Sequence, residues 1–266
     1  MFTKLLSTFG IGSAKVDTQL EYSTYKPGDE VRGETFVVGG ELSQKIDDIY
    51  MTVTTFYLER QYNQHRHYHR EYRKVNINLA HFKIAPEFTI TPKEKRSFPF
   101  TIKLPIDTPL TLGGHSVWIK TGLDIDNAID PKDTDAIDVF PSPIMEKVFN
   151  SLQTLGFTLK TSKCMRSYSL SNHYPFSQEF EFKVTPLSQY YGKVNEIGLF
   201  FIVKSTDEIE VILEVAKHED GLGGLLKDAF NLNEHEIRFL ATSADLEKSP
   251  EHCINALINI INKAIS

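Results

Sequence analysis

The sequence is poor in several things that would point to a ready function. It has two cysteines, Cys164 and Cys253, far apart and with no paired spacing. That excludes a disulfide framework and the usual zinc-finger patterns, and it suits a reducing compartment. There is no basic surplus: acidic residues outnumber basic ones 35 to 29, for a net charge of −6. A polyanion binder draws its affinity from neutralising phosphates, so nucleic acid is set aside as a partner. No stretch approaches the roughly 18 consecutive apolar residues of a membrane-spanning helix. The N-terminus has no ordered succession of charged region, apolar core and small-residue cleavage site, so the chain is expected to be cytoplasmic. Internal repeats and low-complexity tracts are also lacking.

What remains is an ordinary globular balance, 41% hydrophobic and 24% charged over 266 residues. This is enough to bury a sizeable core. Strand patterns dominate it. Val16, Thr18, Leu20 and Tyr22 alternate with Asp17, Gln19 and Glu21, the period of two expected of a half-buried strand. Phe98, Phe100, Ile102 and Leu104 do the same, with Pro99 predicting an edge position because it lacks a donor. Phe180, Phe182 and Val184 alternate with Glu179, Glu181 and Lys183. Ile209, Val211, Leu213 and Val215 alternate with Glu208, Glu210 and Glu214. Solvated strand faces account for these glutamates. The run Ile197 to Val203 is nearly all apolar and reads as a strand buried on both faces. Turn chemistry punctuates these strands, most clearly at Lys26-Pro27-Gly28-Asp29. There Pro presets φ and Gly supplies a positive φ. Many short strands spaced by such turns predict antiparallel β-sandwiches.

Three segments have helical spacing instead. Phe2, Leu5, Leu6 and Phe9 form a short apolar stripe, read as packing on its own lobe in preference to docking on a membrane or partner. Pro143 to Leu155 aligns Ile144, Val148, Leu152 and Leu155. At the tail, Ser249, Pro250 and Glu251 suit a helix start, and Ile254, Leu257, Ile258 and Ile261 follow as the buried stripe. The two prolines of Phe140-Pro141-Ser142-Pro143 predict a boundary, with one lobe over 1–141 and another over 142–266.

Several blocks together resemble a known family. They are Gly10-Ile11-Gly12-Ser13-Ala14-Lys15-Val16-Asp17-Thr18; Tyr25-Lys26-Pro27-Gly28-Asp29-Glu30-Val31-Arg32-Gly33; and Gly39-Gly40 to Ile49 with Gln44 and Ile46. To these are added Phe98-Pro99-Phe100 through Leu104-Pro105, and Gly113-Gly114-His115-Ser116-Val117-Trp118. Gln178-Glu179-Phe180-Glu181-Phe182 and Gly221-Leu222-Gly223-Gly224-Leu225 supply a looser match in the second half. The chain resembles the bacterial sporulation-control M proteins, a family similar in fold to arrestins. The resemblance implies an all-β protein of two tandem antiparallel β-sandwiches, arrestin-like N and C lobes, with a few short helices including a C-terminal one. It also implies a regulatory, non-enzymatic role, with developmental-control, cell-division or cytoskeletal proteins as partners.

Candidate chemistry is sparse. His65, His67 and His69 alternate, so on a strand their rings share one face about 7 Å apart. Three imidazoles in that arrangement can approach a metal ion. The surrounding polar and basic residues favour a solvated hairpin end instead. The same patch, Arg66, Arg70 and Arg73 with Tyr68 and Tyr72, suits an acidic protein partner or phosphate, or else a charged edge that blocks sheet-to-sheet pairing. Asp124, Asp126, Asp130, Asp133, Asp135 and Asp138 form an acidic run. It fails the calcium-loop pattern, since Ala128 and Ile129 fall where a ligand and a glycine are needed. A solvated loop between two strands is the expectation. Asp220 to Gly224 lacks the Lys-Ser/Thr pair of a phosphate loop and reads as a glycine-rich loop, with a short helix from Leu225 to Phe230. No serine sits in a nucleophile-elbow motif.

The sequence therefore points to a non-enzymatic cytoplasmic adaptor that needs no cofactor. It is expected to bind protein partners through sheet edges and loops, with peripheral membrane contact disfavoured. The alternative is a switch answering to a metal or small ligand at His65, His67 and His69.

Overall fold

The structure, a computed structural model, describes residues 13–61, 71–125, 130–167, 170, 173–217, 236–248 and 251–266. The histidine patch, Arg66, Tyr68, Arg70, the N-terminal stripe and the glycine-rich segment lie outside the described residues. In chain order the elements are β1 (Lys15–Leu20), β2 (Thr24–Tyr25), β3 (Glu30–Val38), β4 (Gln44–Gln61), β5 (Glu71–Ala85), β6 (Phe88–Ile90), β7 (Lys95–Lys103), β8 (Val117–Ile125) and β9 (Lys132–Val139). Then follow α1 (Pro143–Thr154), β10 (Phe157–Arg166), β11 (Phe176–Val184), β12 (Val194–Val203), β13 (Glu208–Lys217), β14 (Glu236–Thr242), α2 (Ser243–Lys248) and α3 (His252–Ile265). The chain is mainly β with a few helices, one of them C-terminal, as the sequence leads one to expect.

The described residues fall into two compact units. One draws on residues 13–55, 76–108, 116–125 and 130–139, the other on 56–61, 71–75, 109–115 and the described residues from 140 to 266. In the N-terminal unit, β1, β3 and β7 form one antiparallel sheet. β7 is its outer strand, so Pro99 sits at an edge, where a missing donor does least harm. β4 pairs with β8 on one side and with β5 and β6 on the other, and β9 and then β2 extend the sheet beyond β8. Ala14, Val16, Val37, Ile46, Ile49, Ile90, Leu123 and Ile125 form the core, with Phe88 and Phe98 packed against it.

Hydroxyls also occupy this interior. Thr18 Oγ1 donates to Thr121 Oγ1 at 2.7 Å and lies 3.5 Å from Thr35 Oγ1, all three side chains buried. These bonds satisfy polar groups that would otherwise be costly to bury. The Thr18 amide donates to Asp133 Oδ2 at 2.7 Å. That contact corrects the reading of the acidic run as a loop. Asp124 lies on β8 and Asp133, Asp135 and Asp138 lie on β9, where Asp133 and Asp135 share the half-buried face with Ile137 and Val139 and Asp138 is exposed on the other. The predicted turn at Lys26 to Asp29 is present, with Gly28 at φ 87 and the Asp29 amide bonded to the Lys26 carbonyl. β1 ends at Leu20, two residues short of the predicted strand, and Tyr22 is exposed.

In the C-terminal unit, β10, β11, β12, β13 and β14 form an antiparallel sheet. β10 also meets β4 in parallel at Met165 and Leu58. Phe149 of α1 packs on Phe180, Phe182 and Phe201, with ring centroids 5.1, 5.8 and 5.4 Å away. Helix α1 starts as predicted, with Pro143 in its first turn after extended Ser142, and buries Ile144, Met145, Val148 and Leu152. Gly156, at φ 84, takes the left-handed position past its C-cap. Helix α3 lies against α1, β13 and β14. Its buried stripe is Cys253, Leu257, Ile260, Ile261 and Ala264, turned from the predicted one so that Ile254 and Ile258 are half-buried. Counting only the large aliphatics missed the small residues that let the helix approach its neighbour.

Candidate functional site at the base of the β4–β5 hairpin

β4 and β5 are long strands, of 18 and 15 residues. Their adjoining ends, Phe56–Gln61 and Glu71–Val75, belong to the C-terminal unit. Of the predicted patch, Tyr72 and Arg73 are described here, both exposed. Arg73 is ion-paired with Glu59 of β4, and Glu59 also receives Arg166 from β10. Two guanidinium groups, from two strands that each pair with β4, thus share one half-buried carboxylate, one on each oxygen. Beside them, Tyr57, Phe176 and Tyr174 stack with centroid spacings of 5.6 Å.

Lys74 Nζ sits 4.3 Å over the Phe56 ring, and Phe56 lies 4.7 Å from the His115 ring. His115 Nε2 is 3.4 Å from Cys164 Sγ, both residues buried. Local sequence gave no sign of this pair, because segment 109–115 and β10 are brought together only by the fold. Burial, with Lys74's charge adding to it, lowers the His115 pKa to about 4. Burial likewise pushes the Cys164 thiol well above its ordinary range. An activated cysteine needs the thiolate, and here both partners are held neutral. The pair reads as core packing with a polar contact.

The second group of charges lies on β10, β11 and β12. Glu179 is only 8% exposed, which corrects the expectation that strand-face glutamates are solvated; Glu196 is equally buried. Lys160 pairs with Glu181 and lies 3.7 Å from Glu196. Burial, then the charge of Glu181, raises Glu179 to about 7, with Lys163 opposing and Glu196 adding to the rise. Burial and its hydrogen bond with Glu181 raise Glu196. Burial pushes Glu181 up too, but its bonds to Lys160 and Glu196 outweigh that and hold it low. Register places Glu179 opposite Phe200 and Glu181 opposite Gly198. Phe200 joins Leu170, Ile202 and Ile212 in an apolar cluster. Among the described residues, no three His, Cys, Asp or Glu side chains are placed to hold a metal ion, and no helix is long and apolar enough to cross a membrane.

The family model described as SpoOM protein matches residues 2–219. The chain belongs to the Spo0M family. The sporulation-control protein spo0M of Bacillus subtilis (strain 168) is 38% identical over 251 residues, covering 94% of this chain and 93% of that one. The crystal structure of Spo0M, sporulation control protein, from Bacillus subtilis superposes with a TM-score of 0.80 at 34% identity, covering 96% of this chain and all of that one. Membership of the Spo0M family supports a regulatory role.

Proposed function

We infer that this Spo0M-family chain is a non-enzymatic cytoplasmic adaptor, one that binds protein partners by strand addition along β5 and at the hairpin it belongs to. The supporting observation is the pairing of β5: 15 residues long and free of proline, it pairs with β4 and with no other strand among the described residues. An extended strand with one open edge offers a row of backbone donors and acceptors to an incoming segment. Tyr72, Arg73 and Lys74 stand at its start, where aromatic and basic side chains suit an acidic partner. Developmental-control, cell-division or cytoskeletal proteins are the partner classes the family resemblance implies. Regulation involves reorientation of the two units; Phe140 to Pro143, the boundary expected from the sequence between lobes 1–141 and 142–266, is one of several segments where the chain passes between them.

The test is an in-cell crosslinking pull-down of the wild type beside a charge reversal of Arg66, Arg70 and Arg73, with circular dichroism confirming that both are folded. A defined partner set that disappears in the folded variant supports the reading. A set that is unchanged removes the patch from it.

A further inference from the structure

The turn between β11 and β12 holds apolar side chains out into water and is firmly built. The Thr185 amide donates to the Gly156 carbonyl at 2.8 Å, and Ser188 Oγ donates to the Leu155 carbonyl at 2.6 Å. The amides of Lys193 and Val194 both donate to the Tyr190 carbonyl at 3.0 Å. Tyr190 points inward, stacked on Phe157 at 5.8 Å. Its neighbour Tyr191 points outward and is 60% exposed, and Leu187 is 97% exposed. A single exposed leucine on a loose loop would need no explanation. Here the pinned backbone fixes Leu187 in an exposed turn beside exposed Pro186 and Tyr191.

The turn itself carries charge of one sign, with Glu196 lying opposite Lys183 at its base and 8% exposed. From Phe182 to Asn195 there are two lysines, Lys183 and Lys193, and no acidic residue, in a chain whose net charge is −6. Both lysines are exposed, and Lys217 lies opposite Val194 at the same end of the sheet. We propose that the β11–β12 turn is a peripheral membrane contact, entering an anionic lipid surface with Leu187 and Tyr191 while Lys183 and Lys193 meet the headgroups. The shape favours lipid over a protein groove. A stable protein interface takes about 800 Å² from each side, far more than two side chains offer. A shallow apolar tip with flanking cations is enough for reversible attachment to an anionic bilayer. The tyrosine suits the interface, where its ring is apolar and its hydroxyl stays wet. This inference is independent of strand addition at β5.

The test is co-sedimentation of the full chain with vesicles of phosphatidylcholine alone and of phosphatidylcholine with 30% phosphatidylglycerol. Two variants are compared with the wild type, Leu187→Ser with Tyr191→Ser, and Lys183→Glu with Lys193→Glu. The wild type is expected on the anionic vesicles, with its partition coefficient reduced about tenfold or more in either variant and on neutral vesicles. Thermal melts confirm that the variants are folded, as befits substitutions at exposed positions. Wild type that ignores the anionic vesicles, or variants that sediment as it does, overturn the proposal. So does a photo-crosslinker at position 187 that captures a protein and no lipid in cells.

Discussion

The two compact units solve the problem of a closed core differently. The N-terminal unit fills its interior with β-branched and aliphatic side chains and joins Thr18, Thr35 and Thr121 through their hydroxyls. The C-terminal unit packs phenylalanines of β11 and β12 under α1. It also keeps, among the described residues, all the buried carboxyl, imidazole and thiol groups whose proton affinity is displaced: His115, Cys164, Glu179, Glu196 and Cys253. The N-terminal unit, which holds most of β5, thus has a core without displaced carboxyl, imidazole or thiol groups among the described residues, while the C-terminal unit is sensitive to protons.

The largest effect that separates them is a cavity. Phe180 is fully buried against Phe149 and Phe201, so Phe180→Ala should cost about 3–5 kcal/mol in urea unfolding. A loss below about 1 kcal/mol would mean that the aromatic cluster does not hold this unit together.

The next effect depends on pH. Glu179 binds its proton more tightly folded than unfolded, with a pKa raised from 4.5 to about 7. Its contribution is therefore fully present below pH 4.5 and is lost as pH rises through 7. Glu179→Gln should be more stable than wild type above pH 7, by up to about 3 kcal/mol, and should differ little at pH 4. His115 acts in the opposite sense. Its pKa falls from 6.5 to about 4, so stability is present above 6.5 and lost as pH falls towards 4. The two slopes oppose each other over nearly the same window. Wild type should vary little with pH from these groups, and Glu179→Gln should expose the acid-side loss due to His115. An unchanged profile in Glu179→Gln would contradict the proton-sensitive half of the comparison. Titration of the His115 ring by NMR gives the other half directly, with a midpoint near 6.5 as the contrary result.

Smaller still is the hydroxyl junction. Thr18→Val keeps the shape but leaves Thr121 without its donor, at a cost of about 1–3 kcal/mol in the same unfolding assay. Smallest is Arg73→Ala. The Arg73–Glu59 pair is exposed on the arginine side, and Glu59 keeps Arg166, so stability should change by less than about 1 kcal/mol while partner capture falls.

Much of this was legible in the sequence, and the failures have physical causes. Period two found β1, β7, β11 and β13, and Pro99 announced an edge. Alternation assigns residues to faces but does not say what covers a face, so it placed Glu179 on the face opposite Phe180 and Phe182 and wrongly in water. The aspartates of β9 read as a loop because acidic residues are poor strand formers alone. Pairing with β8, and the Thr18 amide that Asp133 accepts, override that preference. The meetings of Arg166 with Glu59 and of His115 with Cys164 join distant segments, and no local pattern encodes them. For the histidine patch and its arginines, only Tyr72 and Arg73 fall among the described residues.

Hydrogen exchange along β5, with and without a partner recovered by crosslinking, tests the functional account most directly. Alternate amides of a strand point to opposite edges, so those facing away from β4 enter no strand pairing among the described residues. Strand addition predicts that these outward amides between Asn76 and Ala85 slow by an order of magnitude or more on binding, while the inward ones change little. Exchange along β5 that is unaltered by a bound partner, with new protection elsewhere, would contradict it.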